Sequence, residues 1–237
     1  KGGQLVERCV ASLRPQRPER VLVVVSADAL VDLPLDVDQH LLDRNVGFAR
    51  AANAGLHAVP RGDVLLLNDD TRAEPGFIAA LQAAATAHGP AIYQPRIVLA
   101  DGSGRLDNTG HRLFPDGFNI ARGRGAPRDQ PMGPEAGAFS GAAVLLTRQV
   151  LDEVGGFDED LEAFGEDLDL SLRARRQGFR VRYVPDAVIQ HELGATYGRT
   201  NPRKVFLVER NRVLAGVRSL PAAAIATMPA WSALRLG

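Results

Sequence analysis

Two carboxylates and an amide stand directly after a short apolar run in the first third of the chain. Residues 64–67 read VLLL and lead into Asn68, Asp69 and Asp70. A short apolar run bounded by turn residues is typical of a strand buried in a parallel sheet, and ligands of open α/β sheets bind beyond the carboxyl ends of such strands. Because neighbouring carboxylates repel each other, a divalent cation that prefers oxygen ligands, such as Mg²⁺ or Mn²⁺, would offset their charge. The stretch suits the N-cap of a helix opened by residues 74–75 equally well, so both interpretations stay open at this point.

A second group of acids precedes a histidine in the last third of the chain. Glu166 and Asp167 fall in the first turn of a helix predicted over residues 164–179, which has arginines towards its end. This charge order matches the helix dipole, which by itself accounts for one or two of the acids. His191 follows the apolar residues 187–189, and a single histidine in such a place is more often a surface or hydrogen-bonded residue than a ligand. Each polar group is therefore weak evidence for chemistry when it is taken alone.

Composition and charge exclude several classes of protein. The chain has 237 residues, 45% of them apolar, with 28 basic and 28 acidic side chains. This composition predicts a globular protein of one large or two small domains, and the zero net charge argues against a general nucleic-acid binder. Cys9 is the single cysteine, which excludes an internal disulfide and a cysteine-built metal site. No apolar run reaches the 18 residues of a membrane span; residues 220–234 come nearest and contain two prolines.

Alternating helices and strands must position these polar groups. The apolar spacing predicts, in order, a helix, a strand, a helix, a strand, a helix and a strand at residues 4–13, 20–26, 48–58, 63–67, 75–87 and 91–99. A further strand and helix are predicted within residues 141–157. Residues 100–138 are rich in glycine and proline, which predicts loops and short strands, and such a segment inside a compact domain is often functional. The pattern predicts the α/β class, with a mostly parallel central sheet flanked by helices.

Taken together and in this order, five segments resemble the family-2 inverting glycosyltransferases of the GT-A fold, and most of all their rhamnosyltransferase-like branch. The segments are NVGFARAANAGL (45–56), LLLNDDT (65–71), SGAAVLLTRQVLDEVGGFDE (140–159), GEDLDLSLRARRQGFRVRYVPDAVIQH (165–191) and YGRTNPRKVFLVERNR (197–212). The resemblance implies a single GT-A glycosyltransferase domain over residues 1–201. Its nucleotide-binding half would cover about residues 1–99 and its acceptor half about 100–201, with a C-terminal segment at 202–237.

The resemblance also implies a reaction and the residues that carry it out. The implied enzyme is metal-dependent and moves a hexosyl or deoxyhexosyl group from a nucleotide-diphosphate donor to a hydroxyl of a saccharide or lipid-linked saccharide. Inversion in one displacement needs a base for the acceptor hydroxyl, implied to be Asp167, with Glu166 orienting the acceptor or supporting Asp167. Asp70 and His191 are the implied ligands of Mn²⁺ or Mg²⁺, which neutralises charge on the leaving diphosphate. The implied donor-binding residues are Ser26, Asp28, Asn45, Gly47, Arg50, Asn53, Asn68, Asp69 and Gly141.

The sequence departs from the family pattern at two places. The family has an aspartate for the nucleotide base where this chain has Ser26, and the acid moves to Asp28, which leaves base recognition open. The family's first strand has no counterpart before Gln4, and we expect residues upstream of Lys1 to supply it, because losing a central strand would expose backbone groups. A catalytically inactive nucleotide-sugar-binding module is therefore the alternative function. A nucleotidyltransferase and a dinucleotide-dependent dehydrogenase are disfavoured by the lack of a glycine-rich phosphate loop after a strand.

The C-terminal segment predicts a basic amphipathic helix. Residues 203–220 carry five basic side chains and one acid, and the apolar residues 220–234, with Trp231, follow directly. Such a helix can lie in a membrane interface, or it can pack against the sheet with its arginines solvated. The resemblance implies a cytoplasmic enzyme with peripheral contact at the inner face of the membrane, through residues 203–234. We expect loops, mostly within 100–140 and beyond 192, to select the sugar, the nucleotide base and the acceptor.

Overall fold

The computed structural model describes residues 2–27, 33–34, 36–192 and 202–236. The helices in these ranges are α1 (Gly2–Leu13), α2 (Phe48–Ala58), α3 (Phe77–His88), α4 (Arg148–Val154), α5 (Glu166–Arg176), α6 (Pro202–Ser219) and α7 (Ala222–Leu236). The strands are β1 (Leu22–Ser26), β2 (Asp38–Leu42), β3 (Val64–Leu67), β4 (Thr71–Ala73), β5 (Ile92–Leu99), β6 (Leu106–Asn108), β7 (His111–Leu113), β8 (Asn119–Ala121), β9 (Glu135–Ala136), β10 (Ala143–Leu146) and β11 (Val181–His191). The helices and strands predicted from apolar spacing are confirmed, with ends that differ by a few residues.

The central sheet has seven strands and is mixed. Its order is β3-β10-β5-β11-β4, with β6 beside β5 and β9 beside β11. β5 and β11 pair in parallel, whereas β10 runs antiparallel to both β3 and β5, and β4, β6 and β9 are antiparallel to their partners. The α/β class with flanking helices is confirmed, but the sheet is mixed rather than mostly parallel, because β10 enters between β3 and β5 in the opposite direction. β3, β5 and β11 still share one direction, so their carboxyl ends lie at one edge of the sheet.

Alternate residues of the central strands face two separate cores. In β10, Ala143 and Leu145 lie in a core with Phe77 of α3, and Val144 and Leu146 lie in a second core. The first core is covered by α1 and α3, and the second by α2, α4 and α5. This two-residue alternation is the period of a pleated strand. It explains why the fully apolar β10 is buried on both faces, and it holds the sheet rigidly between two helical layers.

A gap separates the first two strands from the central sheet. β1 pairs in parallel with β2, and the two form a sheet of their own. Within the described ranges β3 has β10 as its strand partner, so β1 and β3 each keep one edge without a paired strand. A cavity of about 1380 Å³ lies between them, lined by Val24 of β1, Leu65 of β3, Val6 of α1 and Ala52 of α2. The central strand expected from the family pattern stays a prediction.

The C-terminal segment forms two helices that pack on the rest of the molecule. Ala215 of α6 lies in a small core with Leu168 and Leu172 of α5, and Arg212 of α6 is buried against Asp116. The helix predicted to be basic and amphipathic is therefore anchored by a buried face that contains both apolar and charged residues. Among the described residues, no helix is both long enough and apolar enough to span a membrane.

Candidate active site

The Asn68-Asp69-Asp70 group connects β3 to β4 and does not cap a helix. The Asn68 N–H donates to the carbonyl of Ala142 (2.9 Å), and the Asp70 carbonyl accepts from the N–H of Glu192 (2.9 Å). The chain then continues as β4, and α3 begins only at Phe77, after Gly76. The N-cap interpretation is therefore wrong. Desolvation, and then the charge of Asp70, raises the pKa of the Asp69 carboxyl, which is the electrostatic cost of placing two acids side by side.

His191 lies between two buried carboxylates. Its Nδ1 is 2.8 Å from Asp107 Oδ2 and its Nε2 is 3.2 Å from Asp70 Oδ1, and only 11% of the imidazole is exposed. β11 brings the histidine there because its last residue pairs with Thr71, the residue after Asp70. Burial alone would lower the pKa of His191, but the hydrogen bonds and charges of Asp107 and Asp70 raise it to about 9. The surroundings of His191 therefore favour a positive charge between its imidazole and the Asp70 carboxylate, either a proton or a metal ion.

A divalent cation fits the donors present at this edge. Asp70 Oδ1 is buried and has no hydrogen-bond partner among the described residues, although it lies 3.2 Å from His191 Nε2. The described ranges contain no group of three or more His, Cys, Asp or Glu side chains arranged to hold a metal. Two protein donors suffice for Mg²⁺ or Mn²⁺ when substrate phosphates and waters complete the shell, which is the usual arrangement for these ions. Asp70 and His191 therefore fit a metal that is bound together with a phosphorylated ligand.

The two acids at the start of α5 have different surroundings. Asp167 Oδ2 accepts from the N–H of Gly141 (3.2 Å), and Oδ1 accepts from the N–H of Leu168 (2.8 Å). Glu166 is 8% exposed, and its Oε2 has no hydrogen-bond partner among the described residues. Burial, and then the charge of Asp167, raises the pKa of Glu166 to about 8. Glu166 therefore holds its proton to a higher pH than an exposed glutamate does.

Both acids reach the same place. A Cβ added at Gly141 would lie 3.9 Å from an oxygen of each carboxylate, Asp167 Oδ2 and Glu166 Oε1. Gly141 immediately precedes Ala142, whose carbonyl holds Asn68. The acid pair and the Asp69-Asp70 turn therefore lie at the same edge of the sheet.

A strained turn leads into α5. Glu162, Phe164 and Gly165 have φ values of 61°, 66° and 88°, a region that non-glycine residues rarely occupy. Asn211, which is fully buried in α6, donates to the carbonyls of Leu161 (2.8 Å), Ala163 (3.0 Å) and Phe164 (2.6 Å). Asn211 thereby holds the turn that aims the acid pair. Asn211 falls within the 197–212 segment of the family resemblance, but no local feature of the sequence links it to a turn some fifty residues away.

Three of the predicted donor-binding residues, Asn45, Gly47 and Asn53, lie in α2 or just before it. Asn45 Oδ1 accepts from the N–H of Gly47 (3.0 Å), and a Cβ at Gly47 would lie 3.1 Å from the carbonyl of Glu162. Asn53 is buried. Its Nδ2 donates a hydrogen bond to the carbonyl of Phe157 (2.9 Å), and its Oδ1 accepts one from the N–H of Phe157 (2.8 Å). These contacts tie α2 to the turn before α5.

The remaining predicted donor-binding residues lie around this cluster. Arg50 is exposed and lies 3.7 Å from Glu159. Ser26 ends β1 beside the cavity, and Asp28 lies outside the described residues. Direct contact of Ser26, Asp28, Asn45, Gly47, Arg50, Asn53, Asn68, Asp69 and Gly141 with a donor stays a prediction.

Comparison with known sequences identifies the family to which this fold and site belong. The family model described as "Glycosyltransferase like family 2" matches residues 17–213, and the chain belongs to this family. It is 30% identical over 197 residues to the pre-mycofactocin glycosyltransferase of Mycobacterium tuberculosis, covering 79% of this chain and 40% of that one. It is 28% identical over 233 residues to the N-acetylglucosaminyl-diphospho-decaprenol L-rhamnosyltransferase of the same species, covering 83% of this chain and 75% of that one. The chain thus spans about two fifths of the first relative's length.

Solved structures confirm the GT-A fold. GalNAc-T7, crystallised with UDP, GalNAc and Mn²⁺, matches with a TM-score of 0.66 and 15% identity, covering 88% of this chain and 45% of its own. S. aureus TarS (residues 1–349), in complex with UDP-GlcNAc, matches with a TM-score of 0.62 and 13% identity, covering 96% of this chain and 68% of its own. The fold and family predicted from the five ordered segments are therefore confirmed: the chain has the GT-A fold and belongs to glycosyltransferase-like family 2.

Proposed function

We propose that this family-2 glycosyltransferase moves a hexosyl or deoxyhexosyl group, with inversion, from a nucleotide-diphosphate donor to a hydroxyl of a saccharide or lipid-linked saccharide. The observation that carries the proposal is that two groups of side chains, each suited to one part of the reaction, lie at the same edge of the sheet. His191 Nε2 lies 3.2 Å from Asp70 Oδ1, an arrangement that favours a positive charge between them, and burial raises the pKa of Glu166, which stands beside Asp167. The first suits a diphosphate-bound cation, and the second suits proton removal from an acceptor.

In this mechanism Asp167 is the base. Its charged carboxylate, held by the N–H groups of Gly141 and Leu168, takes the proton of the acceptor hydroxyl as that oxygen attacks the anomeric carbon opposite the diphosphate. Glu166 keeps its own proton and donates a hydrogen bond that orients the acceptor. Asp70 and His191 would hold Mn²⁺ or Mg²⁺, which, when bound, neutralises negative charge on the leaving diphosphate. One displacement gives one inversion at the anomeric carbon.

The structural neighbours support a nucleotide-sugar donor. GalNAc-T7 was crystallised with UDP and Mn²⁺, TarS with UDP-GlcNAc, and the mannosyltransferase PcManGT of Pyrobaculum calidifontis with GDP-Man and Mn²⁺. The mycobacterial rhamnosyltransferase is named for a decaprenol-linked acceptor, which supports a lipid-linked saccharide of the bacterial cell envelope as the acceptor class here.

Contact with a membrane surface is part of this proposal, but the support for it differs from the sequence expectation. Arg203 and Arg210 each pair with Glu162, and Arg218 pairs with Asp158. The basic charge of α6 is thus largely neutralised within the protein. The outward face of α6 instead carries exposed apolar side chains at Val205, Phe206, Val213 and Val217, and we propose that this apolar stripe makes the contact.

A panel of UDP-, dTDP- and GDP-sugars tests the donor and the metal together. Thermal shifts recorded with Mn²⁺ and with EDTA should show cation-dependent stabilisation by one donor, about 2.7 kcal/mol when the ligand is at 100 times its Kd. Asp70→Ala and His191→Ala should each remove the difference between Mn²⁺ and EDTA. Equal affinity for the nucleoside diphosphate in Mn²⁺ and in EDTA, measured by titration calorimetry on the wild type, would contradict metal assistance.

The same panel separates an enzyme from an inactive binding module. The proposal predicts turnover of the selected donor, with an anomeric configuration in the product opposite to that in the donor when followed by NMR. Binding of the donor without hydrolysis or transfer, across a panel of saccharide and polyprenyl-linked acceptors, would favour the module.

A further inference from the structure

Asp107 is a buried acid in the glycine-rich segment, outside the residues that form the Asp70–His191 pair and the acid pair. It lies in β6, where Ile97 and Val98 of β5 pair with Asn108 and Leu106. Asp107 is therefore the extra residue of a β-bulge. A bulge redirects one side chain away from the regular alternation of a strand, and bulges are frequent beside active sites. Here the bulge directs the carboxylate towards the end of β11, and 4% of the side chain is exposed.

The contacts of Asp107 form a line that ends at the proposed metal donors. Asp107 Oδ2 is 2.8 Å from His191 Nδ1, and His191 Nε2 is 3.2 Å from Asp70 Oδ1. Asp107 Oδ1 is 2.9 Å from Arg124 Nη1 and has no partner that meets hydrogen-bond geometry among the described residues. Arg124 is half exposed, so it offsets the charge of Asp107 without filling the space around His191.

A carboxylate that accepts a hydrogen bond from Nδ1 determines whether Nε2 carries a proton or a free lone pair. It accepts the Nδ1 proton, so that in the neutral imidazole the lone pair lies on Nε2, the atom that faces Asp70. It also opposes rotation of the ring, which is otherwise a soft torsion. Metal-binding histidines in proteins are commonly held through their second nitrogen in this way.

We propose that Asp107 is a positioning residue for this centre: its carboxylate fixes the His191 imidazole so that Nε2 stays directed at Asp70 and at the cation that the two would hold. The inference depends on the proposed metal-assisted function. It adds to the five segments a residue from the one long stretch that the family resemblance leaves without a motif. Asp107 does not touch the reacting atoms, so its effect is transmitted through His191.

Calorimetric titration of Mn²⁺ into the full chain saturated with UDP tests the proposal. Asp107→Ala should weaken Mn²⁺ affinity about 10- to 100-fold, the usual cost of removing a partner that orients a ligand. Asp107→Asn should weaken it less, because the amide oxygen still accepts from Nδ1. The matched control is Asp116→Asn, since Asp116 is a similarly buried aspartate that pairs with Arg212 and Arg235 instead of His191; it should leave Mn²⁺ affinity unchanged while lowering the thermal midpoint. Wild-type Mn²⁺ affinity in Asp107→Ala would overturn the proposal.

A second measurement does not depend on metal binding. In protein labelled with ¹⁵N-histidine, the signal that His191→Ala removes belongs to His191, and spectra recorded at a pH where the ring is neutral report its tautomer. The proposal expects the proton of the neutral ring on Nδ1 in the wild type and in Asp107→Asn, and on Nε2 in Asp107→Ala. An unchanged tautomer in Asp107→Ala overturns it. If the wild type binds no Mn²⁺ with UDP, dTDP or GDP, the metal-assisted function fails, and this measurement alone decides whether Asp107 positions His191. If Asp107→Ala does not fold, Asp107→Asn and Asp107→Glu replace it, and wild-type Mn²⁺ affinity in both overturns the proposal.

Discussion

Two buried clusters of charged side chains occupy different parts of the molecule, and they are built on opposite principles. In the first, Asp116 accepts from Arg212 (3.3 Å), Arg235 (3.2 Å), Ser232 (3.2 Å) and the N–H of Phe118 (3.1 Å). Although burial raises the pKa of Asp116, these donors lower it overall. This cluster joins α6 and α7 to the loop before β8 and leaves Asp116 fully partnered.

The second cluster, at the carboxyl edge of the sheet, is under-satisfied. Five buried side-chain atoms have no hydrogen-bond partner among the described residues, and three of them are carboxylate oxygens here, on Asp70, Asp107 and Glu166. Native proteins satisfy almost all buried polar atoms, so exceptions call for an explanation. A cluster that binds and reacts must keep free oxygens for its ligands. The charge network around Asp116 is therefore structural, whereas the cluster at the sheet edge keeps the free oxygens that a ligand-binding site needs.

The largest expected effect is on transfer, at the functional cluster. Asp167→Asn removes the base but keeps the shape of the side chain, so transfer should fall at least about a hundredfold, the low end for a positioned base, while donor binding and the thermal midpoint change little. Initial rates and donor titrations measure both. A variant that keeps most of its turnover would remove Asp167 from the mechanism, and a larger loss in Glu166→Gln would move the base to Glu166.

The next effect is on stability, at the structural cluster. Asp116→Ala removes one of the two carboxylates that pair with the buried Arg212 and leaves Glu209 as the other, so the loss should lie at or below the roughly 3–5 kcal/mol that breaking a buried pair outright costs. Chemical denaturation should show this loss, while transfer per folded molecule stays near that of the wild type. A fall in the turnover of folded protein would show that the two clusters are coupled, and the contrast between them would fail.

The sheet-edge cluster also makes the stability of the protein depend on pH through Glu166. Burial raises the pKa of Glu166 from 4.5 to about 8, so between those values the folded chain keeps a proton that the unfolded chain has lost. Its stability contribution therefore falls as pH rises through this window and is level above it. Glu166→Gln removes that dependence, so its free energy of unfolding relative to wild type should increase from pH 5 to pH 8. A constant difference across the window would show that Glu166 is not protonated in the native state.

Much of the fold could be predicted from the sequence, and the physical reasons are local. Strands such as Val64–Leu67 and helices such as Phe48–Ala58 follow from apolar periodicity within their own residues, and Asp70 and Asp167 stand beside such elements. The direction of β10 was not predictable, because it depends on where the chain returns after residues 100–138. Asp107 and Asn211 were missed for the same reason. Their roles are set by partners 84 and about 50 residues away, and an acid or amide in a polar segment carries no signal of that distance.

The smallest expected effect concerns the outer face of α6, which neither cluster uses. Phe206 is 62% exposed and Val217 is 52% exposed, while the arginines of α6 pair with acids. If this face contacts lipid, apolar burial drives the contact, and binding to vesicles of phosphatidylglycerol and phosphatidylcholine should persist at high salt. Phe206→Ser should reduce co-sedimentation several-fold, because burying a phenylalanine contributes roughly 1.5–3 kcal/mol at most. Ile120→Ser, at an exposed apolar residue of β8, is the matched control and should have no effect. Loss of binding at high salt would restore the charge-based interpretation, and a chain that stays in the supernatant at low salt would leave α6 with a purely structural role.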